Sequence, residues 1–302
     1  MRKYLLATIA IAGIVYLTGC KEGKSGEAIT LKFNLAKGAR YEYAMNMDMS
    51  INQKMMGQDV KMKTTMGFTY LFEITSDSAG WKNMEATFSR INMDMDMGAM
   101  SMHFDSDTPP TDTAGPTGMI AKIFGGLKGA KFSFSMNEKG DIKDIKGYKE
   151  MIESATKGLP SDAIKSMQGL DENNFRQSIQ QSFGAYPDKP VKKGDTWSKN
   201  MEMNLGGMTV KYDNNYKLES VNGNNAEVKI DSKISSSGSM SRVPGSEVNM
   251  TGTSDGKLIY DIPTGTVTEG TINMKMQMKM KMNGQEMPMN MDVKLSIKGK
   301  TK

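Results

Sequence analysis

The chain has 302 residues, long enough to bury a sizeable core, and 31 of them are methionine. Its formal net charge of +5 is too mild to argue for nucleic acid, and two of those positive charges, Arg2 and Lys3, sit at the extreme N-terminus. A single histidine, His103, and a single cysteine, Cys20, leave no basis for a histidine-based triad, a multi-histidine zinc site or a disulfide framework.

The first element is a leader. Arg2 and Lys3 precede an almost wholly apolar run from Tyr4 to Tyr16, too short for a comfortable membrane span, and Leu17-Thr18-Gly19-Cys20 follows. Those four residues resemble a bacterial lipobox. The resemblance implies that residues 1–19 are a signal peptide, that Cys20 carries a diacylglycerol on its thiol and an N-acyl chain, and that residues 20–29 are a tether. Acyl chains at about 0.8 kcal/mol per buried methylene make a durable anchor. Lys21 stands where an inner-membrane retention signal would place Asp, which by the same resemblance favours the outer membrane. The domain would hang on its periplasmic or cell-surface side.

Beyond the leader the dominant period is two. Tyr41, Tyr43, Met45, Met47 and Met49 alternate with polar residues; so do Met93, Met95 and Met97, and the run from Met274 to Met282. A helix would scatter these methionines round its axis, whereas a strand places them on one face. The alternation predicts antiparallel sheet with one wet face. Hairpin tips are expected at "MMGQDVKM" (55–62) and at "MNGQEMPM" (282–289), where Asn283-Gly284 suits a tight turn. Carboxylates at Asp94 and Asp96 and amines from Lys275 to Lys281 suggest that these two strands pair or close the two units.

A diverged repeat relates the halves. "KGARYEYAMNMDM" from Lys37 aligns with "KGDTWSKNMEMNL" from Lys193, setting Tyr41 over Trp197, Met45 over Met201 and Met47 over Met203. The expected fold is mainly β: two similar antiparallel units, residues 30–146 and 188–302, forming a curved sheet or open barrel. A helical insert, residues 147–187, separates them. Within it Tyr148, Met151, Ile152 and Ala155 keep helical spacing, as do Phe175, Ile179 and Phe183, with Asp171 as a candidate cap and Gly184 as a stop. Met119, Ile120, Ile123 and Phe124 suggest one more short helix.

The lipobox, the Lys-Gly that enters an aromatic strand, the "MMGQ" hairpin and the helical insert together resemble an uncharacterised family of Bacteroidota outer-membrane lipoproteins. No activity comes with that resemblance.

The methionines allow three roles. They can fill a core adaptably, because each thioether side chain has three rotatable bonds. They can line a hollow that takes lipid or another apolar ligand, with Met45, Met47, Met201, Met203, Met274, Met276 and Met278 as the candidate lining. Or they can ligate Cu(I), through Met93, Met95, Met97, Met100, Met102 and His103, since soft thioethers select that ion. Same-face neighbours on one strand sit about 6.8 Å apart, so a copper site would need a second strand or convergent rotamers. The expectation is a binding or scaffolding lipoprotein with an apolar ligand and no cofactor beyond its acyl chains, copper being the alternative. Its partners are the outer membrane and that ligand, with no nucleic acid and no protein partner identifiable. Catalysis is not expected: "IFGGLKGAKF" lacks the phosphate-loop ending, and Asp94 and Asp96 read as solvated strand residues.

Overall fold

The computed structural model describes residues 26–55, 58–98, 100–110, 115–160, 172–183, 186–205, 208–238, 247–282 and 285–302. The expected leader, Cys20, the candidate cap Asp171 and stop Gly184, and the expected turn at Asn283-Gly284 lie outside the described residues.

The first half of the chain forms β1 (Arg40–Met55), β2 (Gln58–Ser78), β3 (Trp81–Asp96), β4 (Ser101–Asp105), helix α1 (Gly115–Leu127), β5 (Lys131–Asn137) and β6 (Ile142–Lys146). Helices α2 (Tyr148–Thr156) and α3 (Glu172–Phe183) follow. The second half is all strand: β7 (Thr196–Leu205), β8 (Met208–Asn222), β9 (Asn225–Gly238), β10 (Glu247–Asp261), β11 (Thr266–Met282) and β12 (Gln285–Thr301).

All twelve strands join one antiparallel sheet in the order β6-β5-β3-β2-β1-β12-β11-β10-β9-β8-β7, with β4 added to β3. In the second half the strands follow one another as a meander, since antiparallel neighbours need only a tight turn; in the first half β4 and helix α1 intervene between β3 and its next neighbour β5. The halves meet where the first strand pairs the last, Met45 opposite Ile297 and Met47 opposite Leu295. The chain thus begins and ends its sheet in the middle, and β6 and β7 are left as the two edges. The pairing expected of the acidic and lysine-rich strands does not occur: β3 and β11 are separated by β2, β1 and β12. The cross-strand neighbours are instead Lys63 for Asp96, and Asp292 for Lys275. Most strands of this chain carry both acidic and basic residues, so complementarity alone could not pick the partner.

Helix α3 decides the shape. Its Phe183 ring lies 6.2 Å from Tyr43 in the central strand, 5.5 Å from Phe72 and 6.3 Å from Phe134. The same helix packs against both edges, β6 and β7. A sheet whose centre and two edges all touch one helix must curl round it, so the structure is an open barrel whose seam α3 bridges with side chains. Helix α1 lies on the same inner face, with Phe124 5.7 Å from Phe104 and 6.5 Å from Phe68.

One end of the barrel is sealed by an extended segment ahead of β1. Leu31, Phe33 and Leu35 alternate inward and are at most 2% exposed. The Phe33 N–H donates to Glu138 O (3.0 Å), the Asn34 N–H to Thr264 O (2.8 Å), and Ile29 bridges Val191. These bonds tie together the β5–β6 turn, the β10–β11 turn and the approach to β7. Gly265 makes the crossing feasible: its φ is +69°, and a Cβ there would overlap the Lys32 carbonyl.

Candidate functional site

The inner face changes character along the barrel. Near the sealed end it is aromatic and closely packed: Tyr41, Tyr43, Phe72, Phe88, Phe132, Phe134 and Tyr260 are all buried. The Tyr41 hydroxyl donates to Val267 O at 2.5 Å and the Tyr186 hydroxyl to Gly265 O at 2.7 Å. Burial holds the phenols of Tyr41, Tyr43, Tyr70, Tyr186 and Tyr260 well above their ordinary pKa, and pushes Tyr216 up to about 12. These tyrosines therefore stay neutral and act as packing and hydrogen-bonding groups.

Toward the hairpin end the same face becomes thioether. Strand register lines the inward side chains up in rows across the sheet. One row reads Met201, Tyr212, Ile234, Gly252, Met276, Met291, Ile51 and Met62, crossing eight strands from β7 to β2. The next row toward the tips reads Met203, Val210, Ser236, Met250, Met278 and Met289. On the other side of the seam of the two halves, Met47 faces Met66, which faces Met93 and then Phe104. Met201, Met203, Met274, Met276, Met278, Met289 and Met291 are half-buried, while Val210, Ile234 and Met250 beneath them are buried. Gly252 has no side chain, and a Cβ there would press on Met276 Cγ at 2.8 Å; its absence lets that thioether lie over the β10 backbone.

A polar band separates the two regions. It runs through Lys199, Asn214, Ser232 and Ser254 on β7 to β10, one row below Met201 and Met276. Asn214, Ser232 and Ser254 are at most 8% exposed. The Ser232 hydroxyl donates to Asn214 Oδ1 at 2.6 Å, and Lys199 pairs with Asp188 at 3.0 Å. These residues were not singled out in the sequence. Their signal is the inward series Val228, Ile230, Ser232, Ile234, Ser236, in which serine replaces an aliphatic residue twice.

The seven candidate lining methionines all take inward positions. Met45 joins the aromatic core and Met274, Met276 and Met278 pack on a smaller cluster of Val210, Ile234 and Met250. Met201 shares a row with Met276, and Met203 with Met278.

The candidate copper residues divide. Met95 faces Met102 across β3 and β4, both inward. Met93 is buried opposite Phe104. Met100 is exposed at the turn, 46% accessible. His103 follows Met102 and so points to the opposite face, where its Nδ1 lies 2.5 Å from Asp94 Oδ1. The outer face is wet and mixed in charge. A trough of about 620 Å³ there is flanked by Asp48, Lys63, Asp255, Lys275, Asp292 and Lys294.

Residues 79–267 match a family described as "Family of unknown function (DUF6263)". None of the curated proteins matches the sequence. Among solved structures the chain is similar to lipovitellin, in a structure concerned with its lipid–protein interactions, with a TM-score of 0.47 and 10% identity over 88% of this chain and 25% of that one. This chain thus spans a quarter of lipovitellin's length. It is also similar to the COG4313 outer membrane channel of Pseudomonas putida F1, with a TM-score of 0.24 and 7% identity over 89% and 97% of the two chains. The translocator domain of the autotransporter NalP from Neisseria meningitidis gives 0.22 and 7% over 87% and 89%.

Proposed function

Because the chain belongs to the family of unknown function DUF6263, which assigns no activity, we propose a role from its own residues: a lipid-anchored envelope protein that binds an apolar ligand on its methionine-lined inner face. The observation that carries this reading is a pair of inward rows from β7 to β12, half-buried at Met201, Met276 and Met291 in one and at Met203, Met278 and Met289 in the other, set above an aromatic layer that is buried throughout. A structural core needs no such gradient. Unbranched thioethers re-pack round guests of different shape, which valine or isoleucine at the same positions would resist. The polar band beneath them marks where apolar packing is interrupted, and so where a guest chain would stop.

Binding rather than catalysis is the proposed activity, with the membrane and the ligand as partners and acyl chains on Cys20 as the attachment. Cys20 is tested separately: incorporation of an alkyne-palmitate label, lost in Cys20→Ser, is the expected result. The ligand site is tested by solvent extraction and mass analysis of the chain from Gly26 on, together with binding of N-phenyl-1-naphthylamine. The double variant Met276→Glu/Met278→Glu should abolish dye binding, while Lys275→Glu/Lys279→Glu, on the outer face of the same strand, should leave it intact. No stoichiometric apolar ligand and no dye binding by the parent would sink the proposal.

A further inference from the structure

Ser236 sits on β9 in the upper methionine row, flanked in register by Val210 on one side and Met250 on the other. It is 8% exposed, and its Oγ is buried with no hydrogen-bond partner among the described residues. The contrast with Ser232, four residues earlier on the same strand face, is direct. Ser232 is equally buried and donates to Asn214. A buried hydroxyl without a partner is uncommon, because its desolvation is not offset by any bond, and it points to a group that completes it.

The surroundings narrow that group. The other inward positions of this row and of the two beside it, Met203, Ile234, Met250 and Met278 among them, are apolar on β7 to β11 except for the phenol of Tyr212, so whatever reaches Ser236 must carry a long apolar part. Among the described residues, the one charged side chain at the inward positions of β7 to β12 is Lys199, already paired with Asp188. An anionic head at Ser236 would meet no carboxylate among the described inward side chains of its own and the adjoining rows, Asp188 being held by Lys199 two rows away. A hydroxyl donor also bonds an ionised acceptor more strongly than a neutral one.

Resting on the apolar-ligand reading above, we infer that Ser236 is the polar anchor for the head of a long-chain carboxylate whose tail lies along the methionine rows. The ligand class is therefore fatty acid or a similar single-chain anionic amphiphile, rather than a hydrocarbon without a polar end.

Two fluorescent probes separate this from the parent reading. Cis-parinaric acid carries a carboxylate and N-phenyl-1-naphthylamine does not. In the chain from Gly26 on, Ser236→Ala should weaken parinarate about tenfold, the loss of one charge-assisted hydrogen bond, and leave the naphthylamine unchanged. Ser236→Thr, which keeps the hydroxyl, should restore parinarate binding. The thermal midpoint of Ser236→Ala should equal or exceed the parent's, because an unpaired buried hydroxyl has been removed. Equal parinarate affinity in parent and Ser236→Ala, with the naphthylamine bound by both, would overturn the anchor and keep the apolar site. Failure of both probes to bind the parent would overturn both readings.

Discussion

The Tyr41 hydroxyl reaches past β12 to the Val267 carbonyl of β11, two strands away, and it does so over Gly299. A Cβ at Gly299 would overlap both the Val267 carbonyl oxygen and the Tyr41 hydroxyl. Val267 lies beyond the last β11–β12 pair, Glu269 with Lys298, and beside a slip of the β10–β11 ladder that leaves Thr268 as the extra residue of a bulge. Gly299→Ala should therefore destabilise by about 2 kcal/mol or more, from overpacking and a broken buried hydrogen bond. Tyr41→Phe, which loses only the bond, should cost about 1 to 2 kcal/mol. Urea denaturation of both checks this; an unaffected Gly299→Ala would contradict it.

Phe183 touches Phe33, Tyr43, Phe72 and Phe134 from the end of α3, so it joins the seam helix, the sealing segment and three strands. Phe183→Ala should cost about 3 to 5 kcal/mol, the range for an aromatic cavity that cannot collapse. Amide exchange should show α3 and the edges β6 and β7 losing protection together.

Alkaline pH should weaken the fold. The phenols of Tyr41, Tyr43, Tyr70, Tyr186, Tyr216 and Tyr260 are raised by burial, so the native state keeps protons that the unfolded chain releases above about pH 10. Their contribution is complete below that pH and declines as pH climbs, by up to about 1.4 kcal/mol per pH unit for each phenol. Urea midpoints at pH 7, 8 and 11 should be level between the first two and lower at the third. A level response through pH 11 would mean that these rings are wet.

At β3 and β4, competitive Cu(I) titration gives a clean division. His103 faces away from Met95 and Met102, so His103→Ala should leave Cu(I) affinity unchanged. A loss of affinity in that variant would show imidazole and thioethers converging, and would favour the copper alternative.

Much of this fold is legible in the residues. The period of two in Tyr41 to Met49 and Met274 to Met282 marks strands, and the helical spacing of Phe175, Ile179 and Phe183 marks α3. Both are local properties of the chain. Strand partners are not, which is why β3 and β11 could be matched by charge and yet lie apart. The sealing segment is illegible for a related reason: Leu31, Phe33 and Leu35 alternate like a strand, but backbone bonds of this segment go to turns distant in sequence. Ser236 and Asn214 were missed because a serine or asparagine in an alternating strand reads as solvent-facing until the register shows which side it takes.

The seam has a mechanical consequence. In a barrel closed by ladder hydrogen bonds, the girth is set by strand number and shear, and it can change only by breaking a row of bonds. Here the two edges meet α3 through side chains, and side-chain contacts slide without a quantum of register. The gap between the two edges is thus a continuous variable, set by how far β6 and β7 lean from the helix between them.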